Sequence, residues 1–209
     1  MPVVTLPNPV FEGVDNAIVQ IKDNMGTVEI LSLTGNGIYA TTSLTGIGDG
    51  RTYFLEVNIV GKIFKANSIM PIDTLPVAVN FQRNNGICYI RTTIYTIPNL
   101  SPDYFLIRLY RNSAEVVSNY WYGNNFSSTE SVYSFQSLVA CKLGDLISVK
   151  AHNVPEYVID FIRRVQYEKN TDGGVFSSPP SNVVGNIEGE DGFGLFYASN
   201  LIEISYLVK

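Results

Sequence analysis

Thr52-Tyr53-Phe54-Leu55-Glu56-Val57-Asn58-Ile59 is the stretch from which the fold is read. Tyr53, Leu55, Val57 and Ile59 alternate with Thr52, Phe54, Glu56 and Asn58. A repeat of two sends alternate side chains to opposite faces, which predicts a half-buried β-strand. Upstream of it, strands are expected over 3–6, 17–22, 27–33 and 38–42. Pro7-Asn8-Pro9, Asp23-Asn24-Met25-Gly26 and Gly35-Asn36-Gly37 separate them. Downstream, Gly61-Lys62 turns the chain into a strand over 63–69. Short strands with turn residues between them suggest a β-sandwich over 1–72.

Pro71-Ile72-Asp73-Thr74-Leu75-Pro76 reads as a boundary, because two prolines in six residues hold the backbone extended between two strand patterns. The second unit is expected over 77–209. It opens with a strand at 77–82, and Asn84-Asn85-Gly86 follows. Asn-Gly is a strong hairpin signal because a type I′ turn needs two positive φ values. Strands are expected over 87–97, 104–111, 145–151, 193–198 and 201–208, with an acidic Gly-rich turn after 183–187. Residues 131–138 read ambiguously, a short helix being one reading. One helix is expected near 154–169, with Asn153 as its cap, Glu156 as the capping-box partner and Pro155 in the first turn. Tyr157, Val158, Phe161, Ile162 and Val165 form its apolar face; Glu156, Asp160, Arg163, Arg164 and Lys169 form the wet side. The expected fold is mainly β, an N-terminal sandwich packed on a second antiparallel β-rich unit that carries one amphipathic helix.

Composition agrees and limits the partners. The 209 residues are 45% hydrophobic and only 16% charged, enough for a sizeable core under a lightly charged surface. Thirteen Tyr and eleven Phe against three Met suit pleated sheets. The net charge is −5, and no basic run exceeds Arg163-Arg164. Nucleic acid, which selects a clustered basic face, is therefore excluded as an expected partner. No stretch reaches the ~20 apolar residues of a membrane span. Met1-Pro2-Val3-Val4 has neither a basic n-region nor an apolar h-region. That pattern fits a cytosolic chain or one whose leader has been removed.

Cys88 and Cys141 are the only cysteines, and each lies in an apolar strand-like run. The reading favours two buried thiols acting as small hydrophobes. The alternative is a disulfide closing a loop of ~50 residues, worth ~4 kcal/mol. With one histidine beside them they make no zinc site, and no cofactor is expected.

Few residues invite chemistry. His152 would have to serve any Ser-His-Asp device, yet it precedes the helix and no Gly-x-Ser-x-Gly elbow accompanies it. It reads as structural. Gly46-x-Gly48-x-Gly50 has the letters of a phosphate loop but opens a strand, whereas such loops open a helix. Glu188-Gly189-Glu190-Asp191-Gly192 gathers carboxylates that would suit a hard cation or a glycosidase pair, and reads more simply as a solvated turn. The ligand-binding candidates are Tyr120, Trp121, Tyr122 and Phe126, because aromatics in the polar 119–129 loop resemble a recognition surface. The competing reading folds that loop over the second unit with Trp121 in the core.

Two patterns together resemble a known family. One is Gly13-x-x-x-Ala17-x-Val19-x-Ile21-x-Asp23-x-x-Gly26, then Gly37-x-Tyr39, then Gly50-x-Thr52-Tyr53-x-Leu55-x-Val57. It resembles the Ig-like fold of transthyretin-like or carboxypeptidase-regulatory-like sandwiches. The other is Pro155-Glu156-Tyr157, then Phe176-Ser177-Ser178-Pro179-Pro180-Ser181-Asn182-Val183-x-Gly185-Asn186-Ile187, an acidic Gly turn, and Gly194-x-Phe196. In this order they look like the DUF4249 family of Bacteroidetes envelope lipoproteins, over nearly the whole chain. The resemblance implies a lipidated cysteine after a signal peptide, membrane attachment only through that lipid, and one or two earlier strands. This sequence departs from the pattern at its N-terminus. It also implies an extracytoplasmic, outer-membrane-anchored place and an association with TonB-dependent outer-membrane transporters. No catalytic residues are carried over.

The leading expectation is a non-catalytic cell-envelope accessory protein that binds a partner or ligand. A carboxylate-dependent hydrolase would instead join the 188–191 turn to another acid, such as Asp160 or Glu130, in one cleft. A structural assembly protein would show an exposed apolar patch or open strand edge.

Overall fold

The computed structural model describes residues 12–43, 46, 48–72, 76–95, 104–116, 121–124, 132–170 and 183–209, with only the backbone at 121–124 and 169–170. The strand expected at 3–6 lies outside the described residues. The protein is mainly β, with one helix among the described residues, as alternation implies.

Two compact units emerge. One comprises 1–70 and 155–198, the other 71–154 and 199–209. The break after Met70 falls just before Pro71. The helix falls in the first unit rather than in the expected 77–209 unit. Hydrogen bonding gives the reason: Tyr157 Oη donates to Ser68 Oγ at 2.8 Å and lies 2.9 Å from Phe196 O, and Ala198 N–H donates to Ser68 Oγ at 2.8 Å.

In the first unit, β1 (Ile18–Asp23), β2 (Val28–Ile30), β3 (Ser32–Gly35), β4 (Ile38–Ala40), β5 (Thr52–Ile59) and β6 (Lys62–Ile69) are antiparallel. The sheet order is β2-β1-β5-β6, and β3-β4 forms a separate hairpin. The strand expected over 27–33 is thus two, which part at Leu31. Alternation in β5 works as read: Tyr53, Leu55 and Val57 pair in register with Asp23, Ile21 and Val19 on one side and with Ser68, Ala66 and Phe64 on the other. Tyr53, Met70 and Ala198 form a buried cluster with Ile21 and Phe196 beside it.

Helix α1 (Glu156–Asn170) belongs to this unit. It starts after Pro155, and Val158 N–H donates to Pro155 O. Asn153, expected as the cap, is the last residue of a strand, where its backbone pairs with Asn200. Val158 and Ile159 are fully buried.

The second unit contains β7 (Val77–Asn84), β8 (Ile87–Tyr95), β9 (Tyr104–Arg111), β10 (Ala114–Glu115), β11 (Trp121–Asn124), β12 (Val132–Ala140), β13 (Leu146–Asn153) and β14 (Asn200–Leu207). One sheet runs β12-β8-β7, the other β10-β9-β13-β14 with β11 also on β9. Their inner faces share one core of Cys88, Ile90, Ile94, Phe105, Ile107, Leu109, Val139, Ile147 and Val149. The sandwich evident among the described residues is therefore in this unit. Phe81 stacks on Tyr206 at 5.1 Å, and Phe105 meets Tyr133 and Phe135 at 5.7 and 5.5 Å. Of the ambiguous 131–138 stretch, 132–138 belong to strand β12 and not to a short helix. Its Tyr133, Phe135, Ser137 and Val139 alternate inward, which a helix could not arrange. The Asn85-Gly86 turn has φ values of 48° and 77°, as a type I′ hairpin requires.

Cys88 and Cys141 are joined in a disulfide, with Cα atoms 5.9 Å apart. This corrects the expectation of free thiols. The physical reason is non-local: Cys88 pairs with Val139 in the β8–β12 ladder, and Cys141 N–H donates to Gly86 O, which returns the second cysteine beside the first.

Residues 193–198 are not the strand expected. A side chain stands in for the ladder. The Asn186 amide donates to Asn67 O at 3.0 Å and to Phe196 O at 2.7 Å, and its oxygen accepts from Phe196 N–H at 2.8 Å. Gly185 is required at this crossing, since a Cβ there would collide with the Gly194 carbonyl.

Candidate functional site

The buried carboxylates are structural. Glu29 accepts from Thr41 Oγ1 at 2.6 Å, from Thr42 Oγ1 at 2.9 Å, and from Thr42 and Ser43 N–H groups. The Thr41 bond and its companions hold this carboxyl well below the usual range. Asp23 lies against the start of β5. Burial raises its pKa, but the Thr27 and Met25 N–H groups and Arg51 outweigh that and lower it to about 2. Arg51 bridges Asp23 at 2.9 Å and Asp49 at 3.0 Å. The Gly46–Gly50 stretch therefore leads into a strand tied by an ion pair rather than into a helix N-terminus.

His152 is half-buried on β13, with Nδ1 3.0 Å from Ser199 Oγ. That contact was not visible in the sequence. A general base must accept a proton to activate a hydroxyl. Here burial, then the charges of Arg108 and Lys150, push the imidazole pKa down to about 4. The surroundings oppose the imidazolium such chemistry needs, so the pair reads as a structural hydrogen bond.

The acids of the 188–191 turn are not assembled with Asp160. Glu188 exchanges backbone hydrogen bonds with Lys65 and lines a groove with Lys22, Phe54 and Glu56. Glu190 lies 3.7 Å from Lys62. Asp160 pairs with Arg163 at 3.6 Å and lines a different groove with Tyr157, Arg164 and Asn186. All four acids, Asp191 included, are exposed. Glu130 lies outside the described residues. Among the described residues no His, Cys, Asp and Glu cluster could hold a metal.

Of the aromatic-loop candidates, Tyr120 and Phe126 lie outside the described residues. Trp121 and Tyr122 belong to β11, where their backbones pair with Ile107 and Leu106. That part of the expected loop is a strand.

One candidate surface is a sheet face the sequence reading passed over. The outward positions of β7, β8 and β12 lie side by side in register. Gln82 stands opposite Tyr89, which stands opposite Leu138; Asn80 stands opposite Arg91, which stands opposite Gln136. Asn80, Gln82, Tyr89, Arg91 and Gln136 line a shallow groove of about 240 Å³. Thr93 and Ser134 hydroxyls meet at 3.1 Å on the same face. A second groove of about 230 Å³ on the β1-β5-β6 face is more charged, with Lys65 3.3 Å from Glu56 and Lys22 5.5 Å from the Phe54 ring centre.

The family model described as Domain of unknown function (DUF4249) matches residues 3–203. Comparison with curated proteins gives no match. The chain belongs to the DUF4249 family.

Proposed function

We propose that this member of the DUF4249 family is a non-catalytic accessory protein of the cell envelope that binds a ligand or partner through an open sheet face. The observation that carries the reading is the groove on the β12-β8-β7 sheet, where polar and aromatic side chains meet without an acid–base pair. The Cys88–Cys141 bridge supports an oxidising, extracytoplasmic compartment. Family membership supports the finer reading of a lipid-anchored Bacteroidetes outer-membrane protein beside a TonB-dependent transporter.

The test is purification of the native full-length protein from gently solubilised host membranes, with mass spectrometry of what accompanies it. The expected result is envelope fractionation and a stoichiometric outer-membrane transporter. Release as a free soluble monomer, with no envelope protein attached, overturns the reading.

A further inference from the structure

We propose that the outward face of β7, β8 and β12 is a binding site for an oligosaccharide that carries a carboxylate, with Arg91 as its anchor. This rests on the binding reading above and names its ligand class. The pairing registers put three amides, Asn80, Gln82 and Gln136, around one phenol and one guanidinium. Each amide offers an acceptor and two donor hydrogens, and the guanidinium offers five. That inventory matches hydroxyl groups, which both donate and accept. Among the described residues none of these five side chains has a hydrogen-bond or ion-pair partner in the protein. Their bonding capacity is open to a ligand.

Charge narrows the ligand further. Arg91 is the one charged side chain among the described outward positions of these three strands. A single unpaired guanidinium on an uncharged face complements a single carboxylate, which it can engage in a bidentate pair. A polyphosphate would select several clustered cations, and a net charge of −5 gives it no long-range attraction. Shape excludes an engulfed metabolite. The groove's volume of about 240 Å³ falls below the about 300–1,000 Å³ of sites that enclose small molecules. The ligand lies along the sheet with much of its length in solvent, as an oligosaccharide does. Tyr89, half-buried in the middle strand, and Leu138 beside it supply apolar surface for the faces of sugar rings. A peptide groove of the helix-binding kind would be predominantly apolar, which this one is not.

The test is titration calorimetry of the full chain with an oligogalacturonate of defined length, against the same oligomer fully methyl-esterified. The expected result is saturable binding of the acid form, at least tenfold weaker binding of the ester, and a loss of at least tenfold in Arg91→Gln. Tyr89→Ala weakens binding of both forms, and unchanged thermal unfolding shows that the variants are folded. The proposal is overturned if the acid form does not bind at millimolar concentration. It is also overturned if ester and acid bind alike, or if Arg91→Gln binds like wild type. If wild type and Arg91→Gln co-purify equally with an envelope partner while neither binds the oligomer, the sugar assignment falls and the envelope reading stands. If the oligomer binds as expected to a chain that purifies as a free soluble monomer, the sugar assignment stands and the envelope reading falls.

Discussion

Reducing the Cys88–Cys141 disulfide is expected to destabilise the second unit far more than removing the contacts of two buried sulfurs would. The cysteines are 53 residues apart in sequence. The loop that the bridge closes in the unfolded chain sets the size of the effect. The chain-entropy relation gives about 4 kcal/mol for a loop of this length. With a urea m-value of about 1–3 kcal/mol/M, the midpoint falls by roughly 1.5–4 M. The folded state changes little, because Cys88 and Cys141 are held beside each other by the β8–β12 ladder with or without the bond. The assay is urea unfolding followed by fluorescence of Trp121, the only tryptophan, which sits in β11 of the second unit. Oxidised wild type, reduced wild type and the Cys88→Ala/Cys141→Ala variant are compared. Reduced wild type retains the sulfurs, so its loss measures the cross-link alone; the alanine pair adds a smaller packing loss. If the reduced protein unfolds within about 0.3 M of the oxidised one, the effect is below about 1 kcal/mol and the loop-closure argument is wrong.

Other outcomes follow from single residues. Asn186→Ala removes one hydrogen bond to Asn67 of β6 and two to the Phe196 backbone, and is expected to cost about 1–3 kcal/mol in chemical unfolding. Val60, at φ 50° and 84% exposed, is a β-branched residue in a left-handed turn; Val60→Asn is expected to stabilise by about 1 kcal/mol, read as a higher melting temperature. Asp23, with a folded pKa of about 2 against 3.8, contributes stability that is full above 3.8 and lost as pH falls toward 2, so Asp23→Asn flattens the stability–pH curve in that window. His152, at about 4 against 6.5, contributes stability that is full above 6.5 and lost as pH falls through 4, so His152→Gln flattens that limb.

What the sequence disclosed depends on how local each feature is. Residues 52–59 were legible as a strand because the repeat of two lies within eight residues. The Asn85-Gly86 hairpin was legible because its turn requirement is met by the two residues themselves. Residues 131–138 stayed ambiguous because Ser-Phe-Gln-Ser carries too few apolar positions to separate a period of two from one of 3.6. Only the ladder to β8 decides it. Residues 193–198 were misread for a different reason. The Phe196 N–H and carbonyl bond to the Asn186 amide, and no periodicity reports a side chain that replaces a strand.

The grouping of α1 with the first unit and the disulfide are non-local in the same sense. Tyr157 finds Ser68 across 89 residues, and Cys88 finds Cys141 across 53. The candidate site shows the limit most clearly. Asn80, Gln82, Tyr89, Arg91 and Gln136 each occupy an ordinary solvent-facing position of an alternating strand. Nothing in any one strand distinguishes them from a wet face. They become a possible site only because the order β12-β8-β7 sets three such faces in register, which places Arg91 between two amides with no acid paired to it among the described residues. The aromatic loop attracted attention because its residues are adjacent in sequence, whereas a sheet face gathers its residues from strands far apart in the chain.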